Sequence, residues 1–262
     1  MLTYGAALLP MPVGAIAPGD VADVLSPIWL AKPETASRLR GRIEAVLGAC
    51  IARGERSGPN PAALRDNLAH ILPRQRVEVQ HHAAIAVADA PAAFARLWNK
   101  RDDGMGYQVL VTVCLTAMRS GEARGLRWDE IGETAITIPR DRMKAKRPHV
   151  LPLTPRLREH LTSQSRWVAT DLLHPGLNGR VVSDMTPAMA LRRSGLGQFT
   201  VHGWRSTFRD WAGQEAWPRE LAEHQLAHAV GDATERAYAR DTLAERRRPM
   251  MEAWEAYLWT AL

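Results

Sequence analysis

Six side chains of this sequence could together act on a phosphodiester: Arg119, Lys144, His202, Arg205, His228 and Tyr238. Arg119 lies in Thr116-Ala117-Met118-Arg119-Ser120-Gly121-Glu122, at the end of an apolar run and just before Ser120, a good helix cap. A guanidinium carries a planar fork of donors that matches phosphate oxygens, and Glu122 is placed to orient it. Alone, the two residues read first as a structural pair at a helix junction. Lys144, in the basic run from Arg140 to Pro148, reads alone as a solvated charge. In Val201-His202-Gly203-Trp204-Arg205 the histidine and arginine are at i and i+3 and share a helix face. A group that gives and takes protons beside a fixed cation suits phosphoryl transfer; a core histidine with a surface arginine is the alternative. His228 stands between an apolar segment and Gly231, and Tyr238 lies in Ala237-Tyr238-Ala239-Arg240. A phenol has a pKa near 10 and needs help to attack at neutral pH. Two guanidinium groups and an ammonium supply the charge that a divalent metal supplies elsewhere.

His224 and His228 are also at i and i+4, a spacing that can hold zinc. The hydrolytic zinc pattern places Glu directly after the first histidine. Here Gln225 follows and Glu223 precedes, with no third ligand nearby. No phosphate-cradling glycine loop, dinucleotide fingerprint or nucleophile-elbow serine is present. No metal and no cofactor are therefore expected.

These residues need a scaffold. The chain has 262 residues, 46% of them hydrophobic, enough for one large domain or two smaller ones. The formal charge of +6 suits a polyanionic partner. Cys50 and Cys114 are far apart among apolar residues, as expected of buried free thiols in a reducing cytoplasm. No run is long and apolar enough to span a membrane, and no signal peptide is evident.

Residues 1–19 carry no charge and read as an unstructured N-terminal stretch. Asp20 to Trp29 shows helical spacing. Thr35 caps the next helix, with Leu39, Ile43, Val46, Leu47 and Cys50 as its apolar stripe, Arg38, Arg40, Arg42 and Arg53 outside, and Gly54 as its stop. Asn60-Pro61 is expected to open a helix over 62–72. Residues 73–90 read as a linker, Pro91 opens a helix, and Tyr107 to Met118 is a buried one. Thr134–Pro139 and His149–Leu153 are two strands with a basic connection. Thr154-Pro155 opens a further helix, and helices dominate to the end, with Pro249 expected to kink the last.

The order Arg119, Lys144, His202-x-x-Arg205, His228, Tyr238 resembles the tyrosine recombinase (phage integrase) signature, and most of all that of the P4-type prophage integrases. The segments LTAMRSGEARGLRWDEI, RMKAKRPHVLPLT, VHGWRSTFRDWA, LAEHQLAH and ERAYAR are similar to that subfamily in order and spacing. Upstream, LSPIWLAKPETASRLRGRIEAVL and NPAALRDNLAHILP resemble its core-binding domain, so the likeness spans roughly residues 18–260.

The resemblance implies a mainly α fold with a small antiparallel β-sheet. Residues 20–80 would form a helical core-binding domain and 81–262 a DNA breaking-rejoining catalytic domain. Arg119 and Arg205 would clamp the scissile phosphate, and Lys144 would protonate the leaving 5′ oxygen. His202 would assist proton transfer around the nucleophile, His228 would hydrogen-bond a phosphate oxygen, and Tyr238 would form the 3′-phosphotyrosyl link. Glu122 matches the acidic position behind the first arginine. Arg38, Arg40, Arg42, Arg53, Lys146 and Arg147 are the expected DNA contacts. The implied partners are double-stranded DNA carrying attachment sites, four protomers on two such sites, and host DNA-bending proteins. The family's N-terminal arm-binding domain is not expected, since about twenty uncharged residues precede Asp20. A non-catalytic DNA-binding remnant and a type IB topoisomerase-like relaxing activity are the alternatives.

Overall fold

The computed structural model describes residues 3–65, 67–75, 83–228 and 242–262. The chain divides into two compact units, Met1–Gln80 and His81–Leu262, each with its own apolar core.

In the first unit, α1 (Pro18–Trp29) packs on α2 (Pro33–Ala52). Val21, Leu25 and Ile28 meet Ala36, Leu39, Ile43 and Leu47, stripes at three- and four-residue spacing. Gly54 ends the second helix at φ +73°, as its position suggests. Several expectations are corrected. α2 starts at Pro33 rather than after Thr35, because a fixed φ and a missing N–H suit the first helical turn. Val46 falls off the stripe and is 48% exposed. Arg40 turns inward, donating to the Ala62 carbonyl at 2.9 Å and pairing with Glu44 at 2.6 Å. Residues 1–19 are not bare coil: a 3-10 turn at Ala6–Leu8 and the burial of Leu8 and Ile16 join this stretch to the core. Among the described residues no α-helix follows directly on Asn60. Its side chain donates to the Glu44 carbonyl at 2.7 Å and accepts the Ala62 N–H at 3.0 Å, holding a turn that leads to a 3-10 turn at Leu68–His70.

The second unit is organised around α4 (Met105–Thr116), whose residues Val109 to Thr116 are all buried. A helix apolar on every side can only be central. Around it lie α3 (Ala90–Trp98), α5 (Ser120–Arg124), α6 (Pro155–Thr162), α7 (Met185–Leu191), α8 (Gly203–Gln214) and the last helix, α10 (Thr242–Leu258). Pro91 sits in the first turn of α3, as expected. Strands β1 (Ala135–Ile138) and β2 (His149–Pro152) form the two-stranded antiparallel sheet, in register from Ala135 opposite Pro152 to Ile138 opposite His149.

α10 runs through Pro249 and buries Met250, Met251, Trp254 and Leu258. Its Glu255 caps α6, accepting the N–H groups of Arg156 at 3.3 Å and Leu157 at 3.0 Å and the Thr154 hydroxyl. Thr154 stands at the cap position, but the carboxylate of a distant helix does the capping. Between α8 and α10 lies α9 (Arg219–Gln225). The architecture is mainly helical with one small antiparallel sheet, the class that the resemblance implied. Among the described residues no helix is long and apolar enough to cross a membrane. Cys50 and Cys114 are free and buried.

Candidate active site

The C-terminal end of α4 sets the site. Ala117 takes a left-handed conformation, φ 54°, which stops the helix and turns the chain into the extended Arg119. α5 then starts at Ser120. Glu122, only 6% exposed, accepts the Arg119 backbone N–H at 2.9 Å with one carboxylate oxygen and the Arg119 guanidinium at 2.8 Å with the other. Both the backbone and the head of Arg119 are therefore fixed. A second terminal nitrogen of Arg119 reaches the carbonyl of Ala227 at 3.3 Å.

Arg205 comes from the first turn of α8 and is 2% exposed. Its terminal nitrogens donate to the Ala117 carbonyl at 2.5 Å and the Leu226 carbonyl at 2.6 Å, and one lies 3.3 Å from His228 Nε2. Its Nε–H has no acceptor among the described residues. Burial pushes the guanidinium down, and the charge of Arg119 pushes the same way, to a pKa of about 10. At neutral pH the group stays charged, in a place where charge is costly. Two neighbouring guanidinium groups, one buried without a direct carboxylate partner among the described residues, favour an anion.

α9 ends at Gln225, and Ala227 is left-handed at φ 50°. The His228 backbone N–H closes this turn on the Glu223 carbonyl at 3.0 Å. His228 Nδ1 lies 2.5 Å from Glu223 Oε2, and Arg209 holds the other carboxylate oxygen at 2.8 Å. Burial works to raise the Glu223 carboxyl, but the His228 hydrogen bond and the charges of Arg209, His228 and Arg219 bring it below the usual range. The zinc spacing does not survive this geometry. It needs one helical face through both histidines, whereas the helix stops between them and both His228 nitrogens face protein partners. Among the described residues no group of three or more possible ligands could hold a metal.

Arg119, Glu122, Arg205 and His228 are thus brought together. His202 precedes α8, exposed, three residues before Arg205. Lys144, Lys146 and Arg147 are exposed on the β1–β2 connection, and Lys144 makes no hydrogen bond or ion pair within the described residues. Tyr238 lies outside the described residues, as does part of the expected linker. In the first unit Arg42 and Arg53 are exposed and Arg38 pairs with Glu34 at 2.8 Å on the surface.

Sequence reasoning passed over the supports. Arg142 pairs with buried Glu130 and donates to the Glu122 carbonyl at 2.9 Å, tying the Lys144 connection to α5. Gly125 makes room for it: a Cβ there would stand 2.9 Å from an Arg142 nitrogen. Arg247 of α10 is 4% exposed and donates to Gln225 Oε1 at 2.6 Å and to the Val150 carbonyl. Gln225 in turn donates to the Thr116 carbonyl at 2.7 Å. His149 of β2 reaches the His224 carbonyl at 3.2 Å. The only local hint was a glycine and several charges with no evident surface role.

One helical scaffold thus brings two arginines and a histidine together, an arrangement whose charge suits an anion. Residues 94–245 match the phage integrase family, and residues 5–67 match the phage integrase central domain. The chain belongs to the phage integrase family. It is 31% identical over 240 residues to prophage integrase IntZ of Escherichia coli strain K12, covering 89% of this chain and 58% of that one. With the integrase of Enterobacteria phage P4 it shares 29% over 250 residues, 87% of this chain and 55% of that one. The chain thus spans little more than half the length of these curated relatives. A lambda integrase dimer (residues 75–356) bound to a core site superposes with a TM-score of 0.63 at 14% identity, covering 86% of this chain and 83% of that one. That similarity concerns the fold.

Proposed function

We propose that the chain is a site-specific tyrosine recombinase of the integrase kind, which breaks and rejoins DNA through a 3′-phosphotyrosyl bond at Tyr238. The convergence of Arg119, Arg205 and His228 on one spot carries this reading. The Tyr238 oxygen attacks phosphorus, its proton leaving by way of His202. The bond from phosphorus to the 5′ oxygen breaks, and Lys144 gives that oxygen a proton. Arg119, Arg205 and His228 face the non-bridging oxygens as charge builds there. One P–O ester replaces another, so resealing is the reverse step and needs no nucleotide.

Residues 20–80 act as the core-binding domain and 81–262 as the catalytic domain. Arg38, Arg42, Arg53, Lys146 and Arg147 contact phosphates. The partner is double-stranded DNA bearing attachment sites, with a homotetramer assembling on two of them and host bending proteins assisting. Four other integrase chains forming a tetramer on a Holliday junction are precedent for that assembly.

The test starts from duplexes that the protein selects out of a randomised pool. Nicked near the cleavage position, these should trap a covalent complex with wild type and none with Tyr238→Phe. Binding without trapping by the wild type would leave a DNA-binding remnant. Relaxation of plasmids that lack the selected sequence would favour a topoisomerase.

A further inference from the structure

We propose that Glu223 is a positioning residue for His228, fixing the ring with its proton on Nδ1 so that Nε2 is the atom presented beside Arg205. The role at a phosphate rests on the recombinase reading above; the tautomer does not.

Two contacts from different helices select the same tautomer. On one side, Glu223 Oε2 of α9 lies 2.5 Å from Nδ1. An ionised carboxylate only accepts hydrogen bonds, so the proton must be on Nδ1. On the other side, an Arg205 nitrogen of α8 lies 3.3 Å from Nε2. A guanidinium only donates, so neutral Nε2 must carry its lone pair. Either contact alone would bias the ring, and together they leave one neutral form.

Glu223 is itself held in place. It is 8% exposed, and the Arg209 guanidinium lies 2.8 Å from its second oxygen as an ion pair. Its carbonyl accepts the His228 backbone N–H at 3.0 Å, so one residue holds both the main chain and the ring of His228. Among the described residues the charged groups around the ring are Glu223, Arg205 and, one contact further out, Arg209 and Arg119. A ring held this way donates to a phosphate oxygen through Nε2 only as an imidazolium.

The full chain, labelled with 15N-histidine, reports the tautomer through long-range 1H–15N spectra at alkaline pH, with His228 assigned from a His228→Asn spectrum. Wild type should show His228 protonated on Nδ1. Glu223→Gln keeps one acceptor and should retain that form, whereas Glu223→Ala should shift it toward Nε2–H. An Nε2–H ring in wild type, or an unchanged ring in Glu223→Ala, overturns the proposal. Should Glu223→Ala not fold, the wild-type spectrum still decides.

A second arm uses the nicked, selected duplexes. At saturating DNA, Glu223→Ala should slow covalent trapping by at least about tenfold, short of the roughly 10⁴-fold loss when the aspartate behind a serine protease histidine is neutralised. Binding should change by less than about twofold, and Glu223→Gln should fall between. Weaker binding with an unchanged trapping rate would reduce Glu223 to a structural role. If wild type traps nothing, the function above fails while the tautomer result stands.

Discussion

Glu122 holds Arg119 at both ends, one oxygen 2.9 Å from its backbone nitrogen and the other 2.8 Å from its guanidinium. One buried carboxylate thus starts α5 and aims the arginine that the resemblance places at the phosphate. Removing it leaves the partly buried Arg119 guanidinium without its carboxylate and a helix-start N–H unpaired. Glu122→Ala should lose about 1–3 kcal/mol of stability, and trapping of nicked DNA should fall further than binding. Urea melts and trapping rates check this; unchanged values for both would show that Arg119 needs no second residue to aim it.

Arg247 is a buried cation whose described acceptors are all uncharged: Gln225 Oε1 and the carbonyls of Leu243 and Val150. It joins α10 to α9 and to the sheet. Burial pushes it down to about 10, so it stays charged at neutral pH. Arg247→Ala strands these acceptors and should destabilise by about 2–4 kcal/mol. Arg247→Lys, lacking the fork, should recover only part of that. A urea midpoint unmoved in Arg247→Ala would mean that the helix docks without it.

Acid should unfold the second unit early. Burial lowers His149 to about 3, with Arg247 adding to the effect; burial likewise lowers His174 to about 3 and His160 to about 4. An unfolded histidine titrates near 6.5. Below that value the unfolded chain binds protons that the native chain refuses. The stability these residues provide is therefore complete above about pH 6.5 and is lost as pH falls toward 4 and 3, at up to about 1.4 kcal/mol per pH unit for each histidine. Melting temperatures from pH 7.5 down to 4.5 should fall steeply, and His174→Gln should flatten the curve. A flat wild-type curve would be incompatible with buried neutral rings.

The arginines along and just after α2 should separate into two kinds. Arg42 and Arg53 are exposed, whereas Arg40 is committed to Glu44 and the Ala62 carbonyl. If DNA binding is phosphate-driven, log K falls linearly with log salt, and each lost phosphate contact reduces the slope by about 1. Arg42→Ala and Arg53→Ala should lower the slope and leave the melting temperature alone. Arg40→Ala should lower the melting temperature and leave the slope alone. A flat salt dependence in wild type would count against DNA as the partner.

The sequence by itself determined which residues could do the chemistry and in what order they occur. It also determined the elements that carry them: the all-round apolar α4, the paired strands about a basic connection, the Pro91 start of α3 and the Gly54 stop of α2. These are local properties, set by periodicity and by the backbone preferences of glycine and proline, and they can be read without knowing what lies next to what. Where two local signals competed, as at Pro33 with Thr35 or in the segment after Asn60, reading along the chain chose wrongly. Proline's own backbone preference settled the first, and a side chain reaching across the unit, Asn60 to the Glu44 carbonyl, the second.

Only the tertiary structure decided what holds the chemistry in place. Ala117 and Leu226 offer carbonyls to Arg205 from positions 88 and 21 residues away in sequence. Glu223 takes the His228 ring, and Glu255 caps a helix 98 residues before it. Arg40 and Arg247 turned inward, although composition alone would leave every arginine outside. The reason is physical: a charge or a carbonyl carries no periodicity, and its partner is whichever complementary group the packed core brings within 3 Å or so. Glu122 marks the boundary, since its hold on Arg119 spans three residues and was readable, while the Ala227 carbonyl that completes the grip, 108 residues away, was not.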